Sequence, residues 1–556
     1  MRFSPTILIF VVAAGPAGGQ LLPGVDPSPP EPEAVESLPR VRPEGGEGPE
    51  RAEKVVEKFS RIRLSTWGGS GEFEAFSERF EAETGLLVPS PRTLEAKLGG
   101  YFGRALDEGD LVAIADLILV HYDVEGYPVV DLEIPGQDFA EGRLEVRLEV
   151  GRIGRVGVVP PKYGDGEVLR DGLRLRPGEL VERAALDEQL AWYGRHVFRR
   201  PRLFVSPGEA PATADLLIAL EERRPWRVSL GYENSGTDAV GRERFQIGAA
   251  GLLPNEHLVA WQTVLGAPTS SLRAHAMNWE IPLASRHQTV RMELAYAEVS
   301  ARDLAAGLPL ENGGTSWAAG VTHRFALPAP IDWRAHGSWG LEVKGTDQFV
   351  LFGGARFAPG EVRLFHLKAG CEVERRWKAG GLAARADVLV SPGGVLEGNG
   401  DADFRAFDAA ADSSYVVGRI SGSGWWSPGG DWRLGMRGAA QVSDARLLPA
   451  EQFAAGGHGS VRGVAEREAV GDIGWQASFE VVSPPWEPRE SWEMRGVGFV
   501  DRAWLRNRGG GPSESFGGAG VGLRMRIGEW VDFRLDQGWR LDDGGSRTHF
   551  GIRFSY

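Results

Sequence analysis

A single cysteine, Cys371, stands in a chain of 556 residues. One thiol cannot close an internal disulfide or build a cysteine-rich metal centre. No apolar run approaches the roughly 20 residues that a membrane helix needs. The chain also lacks a glycine-rich phosphate loop ending in Lys-Ser/Thr, a Gly-x-Ser-x-Gly elbow and a His-Glu-x-x-His pair. Its ten histidines are scattered. The expectation is therefore a protein with no enzymatic activity, no cofactor and no metal. Positive charge is short as well: 62 Lys and Arg stand against 76 Asp and Glu, a formal charge of −14. That balance argues against a nucleic-acid partner.

What the chain has in plenty is glycine, at 77 residues, and tryptophan, at 18. Both are spread along the second half and suit sheet better than helix. The length exceeds one ordinary core, so two or more domains are expected.

The N-terminus has the layout of a secretory signal peptide over residues 1–19. Met1-Arg2 carries a positive charge, Ile7 to Ala14 form an apolar stretch, and small residues follow, with cleavage expected near Ala17 to Gly19. A protein exported without a membrane helix is either soluble or a barrel. Residues 20–54 are rich in Pro, Gly and Glu and read as a linker or a plug for a pore.

From residue 55 to 222 the pattern is mixed α and β. Thr93 to Leu106 and Glu108 to Tyr122 read as helices. Val129 to Ile134 and Leu144 to Val150 read as strands, with an earlier strand near Arg61 to Leu64 or Leu86 to Pro89. The order then repeats: strand Arg155 to Val159, helices Glu167 to Leu173 and Glu182 to Val197, strands Leu203 to Val205 and Ala214 to Glu221. Two β-α-α-β-β modules are expected, over 55–153 and 154–222. Such modules keep an open sheet edge, which can accept an extended peptide.

After Arg223-Arg224-Pro225 helical periodicity stops. Segments of about ten residues alternate apolar and polar between Gly, Pro, Asn and Asp clusters. Trp226, Val228, Leu230 and Tyr232 oppose Arg227, Ser229, Gly231 and Glu233; Phe550, Ile552, Phe554 and Tyr556 oppose His549, Gly551, Arg553 and Ser555. The polar face carries full charges, so it is not the inside of a sandwich. A lipid-facing sheet must close, because open edges are forbidden in a membrane. Residues 223–556 are thus expected to form a 16-stranded antiparallel transmembrane β-barrel, an even strand number as such barrels require.

One connection is long enough to suggest function. About 30 residues separate the strand Trp432 to Gln441 from the strand Ile473 to Val482. They include Val461-Arg462-Gly463-Val464, flanked by Gly456, Gly457 and Gly459. On the strand Trp492 to Trp504, Phe499 and Asp501 share the lumenal face if Met494 and Val500 face lipid. A loop folded inward would pair Arg462 with Asp501 and pack on Phe499. A solvated surface loop is the plain alternative.

Several stretches resemble one family. Gly126-Tyr127-Pro128, Ile134-Pro135-Gly136-Gln137-Asp138 and Glu149-Val150-Gly151-Arg152-Ile153-Gly154 resemble the end of a first POTRA domain in the TpsB two-partner-secretion transporters. These are the haemolysin and haemagglutinin secretion proteins, relatives of the barrel-assembly protein BamA. Gly231-Tyr232-Glu233-Asn234-Ser235-Gly236 resembles the start of their barrel. The long loop holds the position of their inward-folded loop with its Val-Arg-Gly-aromatic tetrad, and Phe499-Val500-Asp501 resembles their Phe-x-Asp-x-Gly. Two positions depart: Val464 replaces the aromatic and Ala503 the glycine.

The resemblance implies two periplasmic POTRA domains before a barrel in a Gram-negative outer membrane. It implies passive transport of a secreted exoprotein, held unfolded in the periplasm by the POTRA domains. The loop would brace or gate the barrel. The aromatic end Phe550, Ile552, Phe554 and Tyr556 would serve as an insertion signal, making the chain a client of the barrel-assembly machinery. A BamA-like assembly factor is the alternative, although such proteins carry more POTRA modules. Cutting one member of a buried pair costs about 3–5 kcal/mol. A wet lumen is expected to keep the Arg462–Asp501 cost well below that.

Overall fold

The computed structural model describes residues 54–556 apart from Ser70, Ala140, Asp165, Ala306, Gly307, Ile331, Gly353 and Gly354. The expected signal peptide and all but Lys54 of the proline-rich segment lie outside the described residues. The described chain forms two compact units, which meet in sequence at Arg223 and Arg224. None of its helices is long and apolar enough to cross a membrane.

The first unit holds two larger sheets and a two-stranded one, Lys54–Val56 with Leu106–Asp107. One has five strands in the order Phe73–Ala75, Phe80–Glu83, Arg61–Ser65, Arg143–Val150, Val130–Glu133. Arg143–Val150 alternates buried and part-exposed residues along its whole length, so Leu144, Val146 and Leu148 point into a core. Helices α1 (Pro91–Leu98) and α2 (Glu108–Val124) add Leu94, Leu98, Ile114, Ile118 and Tyr122 to that core. A reciprocal capping box starts α2: Asp107 accepts from the Asp110 amide, and the Asp110 carboxylate accepts from the Asp107 amide.

Sequence and structure differ here in two ways. The helix expected over Thr93 to Leu106 ends at Leu98, because Gly99, Gly100 and a Gly103 at φ 88° turn the chain away. The strands at Phe73 and Phe80 are short and acidic and lack the alternation that reveals longer ones. Of the two candidate early strands, Arg61–Ser65 forms and Leu86 to Pro89 does not.

The second sheet has the order Arg152–Val158, Thr213–Glu222, Arg199–Pro207, with helices α3 (Gly166–Asp171) and α4 (Arg183–Tyr193). Its first strand already begins at Arg152, within the stretch 55–153 expected for the first module.

The second unit is a closed barrel of 16 antiparallel strands, from Trp226–Glu233 to Ser546–Ser555. Its first and last strands close the ring, with Ser229 opposite Ser555 and Glu233 opposite Gly551. Alternation places Leu230, Met436, Val500 and Val521 outward, each more than half exposed, as a lipid-facing surface requires. Charged residues such as Lys344, Arg419, Asp501 and Asp536 point inward and are buried. The polarity of a soluble protein is thereby inverted.

Candidate functional site: the loop inside the barrel

The eleventh strand (Trp432–Ser443) and the twelfth (Ile473–Val482) are joined by the long connection 444–472. Within it Phe453–Ala455 pairs antiparallel with Ala469–Gly471, so the connection carries its own small hairpin. Its tip enters the barrel and buries Val461, Arg462 and Val464 almost completely.

Arg462 is the centre of the contact. Its guanidinium donates a fork to the Asp501 carboxylate on the thirteenth strand (Trp492–Arg506), Nε and Nη2 both at 2.8 Å. The backbone amide of Arg462 donates to the same carboxylate at 3.0 Å. Nη2 also donates to Ser478 Oγ at 3.1 Å, and Nη1 to Glu480, both on the twelfth strand. The guanidinium lies 3.5 Å above the Phe499 ring. Phe499 and Asp501 are thus where alternation places them, on the lumenal face beside each other. One planar cation answers a carboxylate bidentately and a ring face at once, which Lys could not do.

The expected wetness of this pair is corrected by the structure: Arg462 and Asp501 are each 1% exposed. The loop itself and the strands around it exclude water, so the dry estimate applies.

Gly463 follows at φ 90°, a conformation that favours glycine. A Cβ there would sit 2.8 Å from the carbonyl carbon of Gly538 on the fifteenth strand (Val531–Arg540). A Cβ on Gly518 of the fourteenth strand (Glu514–Ile527) would collide with the Arg462 carbonyl oxygen. The loop backbone therefore lies directly against bare strand backbone. Gly518 and Gly538 escaped sequence reasoning; the run Gly517-Gly518-Ala519-Gly520 was the available signal.

Val464 and Ala503, the two departures from the family pattern, sit in one buried apolar cluster with Val461, Leu505 and Phe516. A smaller loop residue and a larger wall residue share one space.

The terminal residues lie along the closing seam. Phe550 packs on Tyr232 and Phe533, with ring centroids 5.8 and 5.3 Å apart. Ile552 is paired with Tyr232, and Phe554 with Leu230. Tyr556 stacks on Trp530 at 5.2 Å, and its backbone exchanges two hydrogen bonds with Val228.

These features define a class: a closed 16-stranded antiparallel β-barrel that follows an α/β unit and holds an inward loop. Residues 353–525 match the family described as haemolysin secretion/activation protein ShlB/FhaC/HecB. The outer membrane transporter CdiB-2 of Burkholderia pseudomallei (strain 1026b) is 23% identical over 167 residues, 29% of this chain. The aligned stretch spans 28% of that relative's length. CdiB from Escherichia coli superposes with a TM-score of 0.71 at 16% identity over 93% of both chains. CdiB from Acinetobacter baumannii gives 0.62 at 15% identity over 91% of both. At such identities the solved structures establish the fold, and the sequence match is confined to part of the chain. Together they show the fold of the CdiB structures over nearly the whole chain and a likeness to the haemolysin secretion/activation family over residues 353–525.

Proposed function

We propose that the protein is a two-partner-secretion pore that passes an unfolded exoprotein from the periplasm to the cell surface without catalysing a reaction. One observation carries this reading above the others. The barrel holds a polypeptide loop whose tip is fixed to the wall through one charged residue, Arg462, forked onto Asp501. A diffusion porin needs no such catch. A pore for another polypeptide needs a removable one.

The periplasmic unit supplies docking chemistry. Arg199–Pro207 stands at the edge of its sheet, with Phe204 more than half exposed. Val112, Val120 and Val124 are exposed apolar residues on α2. An extended client strand could add to such an edge and rest apolar side chains beside it. We read the two sheets as two POTRA modules. We read the aromatic C-terminus as the signal by which the barrel-assembly machinery inserts the chain.

The test is co-expression with the exoprotein encoded beside this chain. Arg462→Ala should leave a folded, inserted barrel and sharply reduce exoprotein in the medium. Undiminished export by that variant would overturn the proposal.

A further inference from the structure

The first arm of the loop is held by a different set of residues from the tip. Glu451, 1% exposed, accepts from Lys344 Nζ at 2.7 Å and from Arg419 Nη2 at 2.9 Å. Lys344 belongs to the seventh strand (Trp333–Phe352) and Arg419 to the tenth (Ser414–Gly429). Arg419 Nη2 also reaches the Glu451 carbonyl, and Gln441 Nε2 donates to that same oxygen at 2.9 Å. Behind them Glu342 bridges Lys344 and Lys368, at 2.9 and 3.1 Å. Among the described residues Glu451 is thus the one loop carboxylate set between two buried wall cations.

Apolar packing reinforces this arm. Leu447 and Leu448 are buried with Val362, Leu364 and Phe404, the last on α5 (Asp401–Phe407) of the connection 393–413. Asp472 at the far end of the loop then ties the base shut. It accepts from the Leu447 amide at 3.0 Å, Gln452 Nε2 at 2.9 Å and the Arg508 amide at 2.7 Å.

The two attachments share no partner. Glu451 is gripped by the seventh and tenth strands, Arg462 by the twelfth and thirteenth. Between them lies the turn from Gln452 into the hairpin strand at Phe453. We propose that Glu451 is a second, independent anchor that positions the base of the loop, so that the tip swings out at Gln452–Phe453 while the base stays in the barrel. Release of Arg462 then opens only part of the lumen, and full opening requires Glu451 to leave Lys344 and Arg419. The inference rests on reading the loop as a movable barrier.

The test uses thiol labelling of full-length protein in intact cells. The native thiol is removed by Cys371→Ser. Single reporters are introduced by Leu448→Cys at the base or Ser460→Cys at the tip, both buried positions. A membrane-impermeant maleimide then reports exposure from outside. Arg462→Ala should raise labelling at the tip by about tenfold or more while the base stays protected, as expected when one local opening equilibrium shifts alone. Glu451→Gln should expose the base and leave the tip protected, and the double variant should expose both. Single-channel conductance should rise further in the double variant than in either single one. Folding is checked by heat-modifiable electrophoretic mobility; if Glu451→Gln does not fold, Arg419→Gln removes one of the two cations and carries the same expectation. A base that stays protected in both folded variants, or a tip exposed as strongly as the base, overturns the second anchor. Labelling requires no cargo. A chain with the two-site pattern that exports nothing would overturn only the secretion reading.

Discussion

Three glycines decide where Arg462 can sit. Gly463, Gly518 and Gly538 let the loop and the wall meet backbone to backbone, and each would place a Cβ under 3.0 Å from the other side. Gly463→Ala combines that clash with an unfavourable φ, a strain of about 1–3 kcal/mol. It should mimic loss of Arg462, with more labelling at the loop tip and less secretion. An unchanged loop in that variant would mean that the strands yield more easily than their packing implies. At the apolar end of the contact, Val464→Tyr should overpack the cluster beside Ala503, and Ala503→Gly should restore room. A double-mutant cycle on barrel melting should then show a coupling of about 0.5–3 kcal/mol; additive effects would mean that the two sites do not share space.

Among the elements, α2 has its own pH signature. The Arg104 guanidinium beside Asp110 holds that carboxyl below its ordinary range, helped by the amide of Asp107. A folded pKa below the unfolded one contributes stability above the unfolded value of about 3.9, and loses it as pH falls through the folded value. Asp110→Asn keeps an acceptor for the Asp107 amide but loses the pair with Arg104, so it should speed amide exchange along α2 near neutral pH by the equivalent of about 0.2–1 kcal/mol. The difference from the native chain should close below about pH 4. A gap that persists into acid would show that the side-chain charge is not its source. The closing seam makes a second element-scale prediction. Tyr556 is stacked on Trp530, under Arg224 at 4.8 Å, and its backbone is bonded to the first strand. Removing Tyr556 should lower the fraction of heat-modifiable folded barrel in membranes, more than Tyr556→Phe does.

For the whole molecule, the inverted polarity has one energetic consequence. The outward face is stable only against lipid. The inward face is stable only where every charge finds a partner. The barrel meets the second condition partly with its own strands, as in Arg524–Asp536 with Nη1 at 2.8 Å, and partly with the loop. Filling the lumen with the loop thus satisfies wall charges that lie buried there. The genomic neighbourhood should encode a large secreted β-helical protein, and secretion of that protein should depend on this chain.

Much of the architecture was legible in the residues, because barrel strands must alternate and modules must repeat. For the Arg462–Asp501 pairing, alternation put Phe499 and Asp501 on one face and a long glycine-flanked loop offered a cation, but a solvated loop fitted those residues as well, and only the family resemblance favoured the pair. Short acidic strands such as Phe73–Ala75 lack the periodicity that would reveal them. The second anchor could not be read at all. Glu451 meets Lys344 from 107 positions away and Arg419 from 32, and nothing local marks any of the three. By itself the sequence determined which face of each strand meets lipid, since a period of two survives without knowledge of neighbours. Only the tertiary structure decided which buried charges meet and how dry they are, because ring closure brings distant strands into register and the inward loop displaces the water between them.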